Sequence, residues 1–173
     1  NPRAHACATW HQNLSHLIEQ VMPDVIVLSS SERNPRSGEA TNPDWVKGHE
    51  AFVASISKMA ADVRIIDIGG WVYRTSDPTA CLKVTEKISK TIGSCATPLK
   101  KAVNVARVKL RRAYDKANSV AFMDMSKYFC TKKMCPAIVG GVATMANVSI
   151  PSQSYMRYIT KAVTPEFSKI VNI

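Results

Sequence analysis

Three short apolar runs, separated by stretches of helical periodicity, constrain this chain more than any other feature. Asp24 to Ser29 follows Pro23 and is apolar from Val25 through Leu28. Val63 to Ile68 runs into Gly69-Gly70, and Val120 to Asp124 closes on an acid. Nearly continuous apolar runs of this length suit strands covered on both faces. Helices are expected from Trp10 to Val21, Asp44 to Ala60 and Pro98 to Ala117. In the last of these, Leu99, Val103, Ala106, Leu110, Ala113 and Ala117 recur at three- and four-residue steps and predict a core-facing stripe. Lys100, Lys101, Arg107, Lys109, Arg111, Arg112 and Lys116 are then left to the solvent side. A closing helix is expected from Ser152 to Val171, interrupted near Pro165. Strands alternating with helices predict an α/β fold with a mainly parallel sheet. The stretch from Ser31 to Pro43, rich in Ser, Asn, Pro and charge, predicts a long loop at the carboxyl end of the first strand. Loops there shape the ligand crevice of open parallel sheets.

The 173 residues predict a single domain, large enough to close an apolar core without staples. No boundary, repeat or low-complexity tract divides them. No run of about 18 apolar residues offers a membrane span. The start, Asn1-Pro2-Arg3-Ala4-His5, has no apolar h-region, so any exporting segment is expected upstream.

The net charge of +10 is concentrated. Between Thr79 and Lys133 thirteen Lys and Arg stand against three acids, Glu86, Asp115 and Asp124, while the rest of the chain is neutral. That region should attract polyanions such as phosphate-bearing polymers or lipid headgroups, with Lys109, Arg111 and Arg112 as candidate contacts; otherwise it is a solvated basic face. Nucleic acid is disfavoured, because no aromatics interleave the basic helix and no reading motif occurs.

Of five cysteines, Cys130 and Cys135 enclose four residues, Cys81 and Cys95 flank a second closable stretch, and Cys7 is left over. Two loop-closing pairs fit an oxidising compartment, although reduced thiols and other pairings are equally allowed. No His or Cys spacing makes a zinc site, so no metal is expected, and no cofactor motif is present. Gly69-Gly70 and Gly140-Gly141 lack the surroundings of a phosphate loop. Ser29, Ser30 and Ser31 end a strand but lack the Gly-x-Ser-x-Gly elbow, which makes them weak nucleophile candidates. Among the histidines, His5, His11 and His16 read as surface or packing residues. His49, on the second helix after the Ser-rich loop, is the better candidate base. Trp71 and Tyr73 follow a strand end, where they either stack on a sugar ring or cover the sheet edge.

An ordered set of motifs resembles one family. Cys7-Ala8-Thr9-Trp10 is followed by a helix and Pro23-Asp24-Val25-Ile26-Val27-Leu28. Trp45 to Met59 matches the helix after a substrate loop, and Asp77-Pro78-Thr79-Ala80-Cys81-Leu82 with Cys95 and Pro98 matches a two-cysteine insertion. Asp124 to Cys130 leads into Thr131-Lys132-Lys133-Met134-Cys135-Pro136-Ala137-Ile138-Val139-Gly140-Gly141, and Tyr155 and Pro165 keep the closing spacing. Almost the whole chain thus resembles the SGNH-hydrolase-like domains fused to bacterial acyltransferase-three membrane proteins.

The resemblance implies a three-layer α/β/α, flavodoxin-like domain over residues 1–173, with disulfides Cys81–Cys95 and Cys130–Cys135. Cys7 would stay free or pair with a preceding segment. It implies Ser-dependent O-acyl transfer onto an envelope glycan or glycolipid, without a cofactor. It also implies a location outside the cytoplasm, tethered through a membrane acyltransferase domain of the same parent protein. No oligomeric state follows. Two departures bear on catalysis. The family's Gly-Asp-Ser-His block is not in this chain, which implies that the first strand and nucleophile are either absent or belong to a missing segment. The family's Asp-x-x-His positions are Asn147 and Ile150. Isoleucine takes no proton, and a serine hydroxyl is a poor nucleophile without a base. The resemblance therefore implies a catalytically degenerate domain. The alternatives are an active esterase or acyltransferase with an upstream serine and an unconventional base, or a non-catalytic cationic module for anionic envelope polymers.

Overall fold

The computed structural model describes residues 2–30, 43–59, 62–87 and 92–171. Its central sheet has three parallel strands in the order β1 (Val25–Ser29), β2 (Arg64–Gly69), β4 (Ala121–Asp124). Register pairs Val25 with Arg64 and Ser29 with Ile68 on one side of β2, and Ile66 with Ala121 and Gly69 with Asp124 on the other. Helices α1 (Pro2–Val21), α2 (Pro43–Met59) and α5 (Val105–Ala117) supply the crossover side. There Ile18, Val53 and Ile56 pack on Ile65, Ile26 and Leu28, with Tyr114 of α5 against the same cluster. The opposite face, carrying Ile68 and Met123, packs with Tyr155, Ile159 and Phe167 of α7 (Gln153–Val171). Period-two alternation along β2 separates the two cores. The result is the α/β architecture with helices on both faces of a parallel sheet.

Between Pro78 and Ala143 the chain builds a smaller lobe: α3 (Pro78–Lys87), a 3₁₀ turn at Ile92–Cys95, β3 (Thr97–Pro98) and α4 (Leu99–Ala102). After β4 come α6 (Ser126–Phe129), β5 (Met134–Cys135), β6 (Ile138–Val139) and β7 (Val142–Ala143). The strands β3 and β5 pair antiparallel, as do β6 and β7. Disulfides join Cys81 to Cys95 and Cys130 to Cys135. Cys7 lies on α1, with its side chain outside the described residues. Gly140 and Gly141 turn the β6–β7 hairpin at φ 56° and 78°, the double left-handed geometry of a two-residue turn. Gly70, at φ 72°, is required for a second reason: a Cβ there would sit inside the Asp124 carboxylate.

Two helix expectations need correction. The helix expected from Pro98 to Ala117 is two helices, broken at Val103–Asn104. Val103 is extended, and the Asn104 side chain accepts from the Arg107 N–H at 3.2 Å, starting a new helix. The break resets the helical phase. Leu99, Ala102 and Val103 still belong to the core, but Ala106, Leu110, Ala113 and Ala117 face solvent, while Arg107, Val108, Arg111 and Asp115 are buried. The stripe read from the sequence is therefore inverted in α5, and Arg111 is not on a cationic surface. The closing helix also continues through Pro165. Buried Tyr155 and Ile159 before the proline, and partly buried Phe167 and Ile170 after it, pack on one core and hold the two halves in line. Glu166 adds an ion pair to Lys127.

Candidate functional site

The site grows from a single acid in an apolar strand. Alternation puts Asp67 on the same face of β2 as Ile65, and its side chain is fully buried. A buried carboxylate must be paired and hydrogen-bonded, or it loses its charge. Helix α5 supplies the partner: Arg111 donates from both Nε and Nη2 to the two Asp67 oxygens in a bidentate fork. The same guanidinium donates to the Ser30 carbonyl at 3.0 Å and to the Ile68 carbonyl at 3.4 Å, clamping the end of β1 to β2. Phe122 lies 5.7 Å beneath it.

Helix α2 brings His49 to the other side of the acid. Its Nε2 lies 3.2 Å from Asp67 and 3.7 Å from Asp115, a second fully buried acid one helical turn beyond Arg111. Burial pulls the His49 pKa down, but the carboxylates of Asp115 and Asp67 beside it outweigh that and push the imidazole up to about 9. Asp67 is opposed by burial, yet His49 and Arg111 hold it below the usual carboxylate range. Asp115 is raised, by its own burial and by the neighbouring Asp67 carboxylate, against the pull of His49. At neutral pH the cluster contains an imidazolium, a guanidinium, an ionised Asp67 and an Asp115 that holds its proton more readily than an ordinary aspartate. His49, Asp67 and Asp115 offer ligand atoms within 4.8 Å of one another, a spacing that suits a metal ion. The donor set does not fit one: Asp67 is engaged by Arg111, and two resident cations already balance the acids.

This charge arrangement sets a pH dependence. A histidine raised in the folded state stabilises the fold fully below its unfolded value of 6.5, and that contribution is lost as pH rises through about 9. Raised Asp115 works in the same direction at lower pH, whereas lowered Asp67 acts on the acid side, below 3.8. The His49 term is on the order of 3 kcal/mol. Thermal melts should lose roughly 5–10 °C between pH 6.5 and 9.5. The His49→Gln variant should show no such slope there. An equal slope in both proteins would remove His49 as its source.

Beside the cluster, a cavity of about 720 Å³ opens along the outer edge of β1, lined by Trp10, Leu14, Ile18, Val27, Phe52 and Ile56, with Ser29, Ser30 and His49 at its polar end. Among the described residues β1 pairs only with β2, so this edge carries no strand. Val27, in the middle of β1, is 47% exposed.

The other candidates fall as follows. Ser29 is exposed, and its hydroxyl accepts from the Trp71 indole N–H at 3.1 Å. Ser31, and the loop expected from Ser31 to Pro43 except for Pro43 itself, lie outside the described residues. Trp71 is half-buried and packs edge-on against Phe129, and Tyr73 donates its backbone N–H to Ala102. Lys109 and Arg112 are exposed, the latter paired with Asp124 at 2.6 Å. Asn147 forms a turn: its side-chain oxygen accepts from the N–H groups of Ser149 and Ile150, each at 2.9 Å, and Ile150 is 55% exposed. Sequence reasoning missed Asp67 and Asp115. The available signal was Ile65-Ile66-Asp67-Ile68, an acid in phase with the buried side of a strand.

No family model matches the sequence, and no curated protein does. A solved structure does: the periplasmic domain of the lipopolysaccharide acetyltransferase of Salmonella ser. Paratyphi A. It matches with a TM-score of 0.64 over 90% of this chain and 61% of that one, at 16% identity. The chain therefore shares the fold of that periplasmic acetyltransferase domain and spans about 61% of its length.

Proposed function

We propose that this chain is the SGNH-like, envelope-facing domain of a membrane O-acyltransferase acting on glycans or glycolipids, and that these residues alone are catalytically degenerate. The observation that carries the reading is the fold shared with a periplasmic acetyltransferase domain. The open edge of β1 and the apolar cavity beside it support the view that the parent polypeptide supplies a further strand there. The family's nucleophile would arrive on that strand, near Ser29 and His49.

Acyl transfer from a serine needs a base that takes the hydroxyl proton as the new C–O bond forms. Ile150 has no lone pair for it. His49, with its pKa at about 9, already carries a proton at neutral pH, and its Nε2 is turned toward carboxylates. Ser29 is engaged by Trp71. The cluster therefore reads as an electrostatic brace under the end of β1 rather than a charge-relay set. Purified protein should hydrolyse a chromogenic acetyl ester no faster than buffer, and Ser29→Ala, Ser30→Ala and Ser31→Ala variants should be indistinguishable from it. Turnover lost in one of those variants would overturn the degenerate reading and place the nucleophile.

A further inference from the structure

The solvent face of α5 presents two adjoining rows. Lys109, Arg112 and Lys116 form one, spaced by three and four residues, with Arg112 paired to Asp124, and Ala106, Leu110, Ala113 and Ala117 form the other, all exposed. Leu110 is 62% exposed, and Val105 at the start of the helix is 38% exposed. The only acid on α5, Asp115, is fully buried beneath the opposite face. Lys100 and Lys101, just ahead on α4, are exposed as well. The burial of Arg111 is explained by Asp67. With Arg107, Val108, Arg111 and Asp115 turned inward, the apolar row is left on the outer side of the helix.

We propose that this face rests on an anionic lipid surface. A helix lying in the plane of a membrane interface needs cations at headgroup level and an apolar strip beside them. Both are present here, and three alanines let the backbone approach closely. A soluble polyanion would use the lysines but gain nothing from Leu110. The apolar strip is shallow, so binding is reversible and electrostatic in the main, with each cation near the surface contributing roughly a fivefold gain in partitioning. The proposal is independent of the acyltransferase reading, since it concerns the outer side of α5 rather than the end of β1.

The test is co-sedimentation of the whole chain with vesicles of equal phosphatidylglycerol and phosphatidylcholine, beside vesicles of phosphatidylcholine alone. Binding is expected only to the anionic vesicles and should weaken steeply with salt. The double variant Lys109→Gln/Lys116→Gln should lose roughly 25-fold, and Leu110→Gln severalfold. Both replace exposed side chains, so unchanged melting temperatures should accompany the loss. Equal binding to both vesicle types, or none to either, overturns the proposal. So does binding of soluble polyphosphate that matches vesicle binding and is unaffected by Leu110→Gln, which would assign the face to a soluble polyanion.

Discussion

Replacing Asp67 with asparagine is expected to cost about 3–5 kcal/mol of stability, against a much smaller loss for Asp115→Asn. Both acids are fully buried and both face His49, so burial alone ranks them equally. Their electrostatics differ. Asp67 is the one whose ionised form the fold holds, with a bidentate guanidinium on one side and an imidazolium on the other. Removing its charge leaves Arg111 buried without its fork and His49 with the weaker acid alone. Burial and the neighbouring Asp67 charge make ionised Asp115 costlier than an ordinary aspartate, so an amide there gives up less. A melt of both variants near pH 7 decides it, with a difference of about 2 kcal/mol appearing as a gap of roughly 4–8 °C. Equal losses, or a larger loss for Asp115→Asn, would mean that Asp115 carries the negative charge.

The same cluster marks where sequence reasoning stops. Strand positions and the helix–strand alternation are legible because a buried parallel strand must be apolar almost throughout, and Val25–Leu28 and Ile65–Ile68 nearly are. The face of α5 is not legible from periodicity. Its orientation depends on Asn104, which restarts the helix, and on an ion pair between residues 44 apart in sequence. A pattern of apolar steps treats arginine as a surface residue and cannot see that a strand acid requires one inside. His49 stands out in the sequence, but only as a lone helical histidine. Its meaning comes from Asp67 and Asp115, brought to it from another strand and another helix. The continuity of α7 through Pro165 belongs to the same class: the local rule is sound, but packing on both sides of the proline outweighs it.

Arg74→Lys is expected to be at least as damaging as Asp67→Asn, although it preserves the charge. Arg74 is 1% exposed, and none of the ion pairs among the described residues involves it. Its charge is instead solvated by oxygens. Nη1 faces the carbonyls of Cys95 and Cys135, each at 3.3 Å, and the Thr97 hydroxyl at 3.4 Å; Nη2 donates to the Pro136 carbonyl and to the Thr144 hydroxyl at 2.8 Å. Burial pulls the guanidinium's pKa down, yet it stays charged because an arginine starts so high. A lysine ammonium has three donors at one point and cannot reach both ends of that set. It would leave buried carbonyls unsatisfied, each costing about 1–3 kcal/mol. The expected loss is about 3–5 kcal/mol, or a fall in melting temperature of roughly 6–20 °C. The carbonyls of Cys95 and Cys135 each belong to a different disulfide, so one guanidinium joins both loops. Breaking Cys130–Cys135 by serine substitution should therefore cost less in the Arg74→Lys background than in the native one. A double-mutant cycle reads the coupling directly, and residues sharing one network typically show about 0.5–3 kcal/mol of it. Strict additivity would mean that the two disulfide loops are held independently and that Arg74 merely fills space between them.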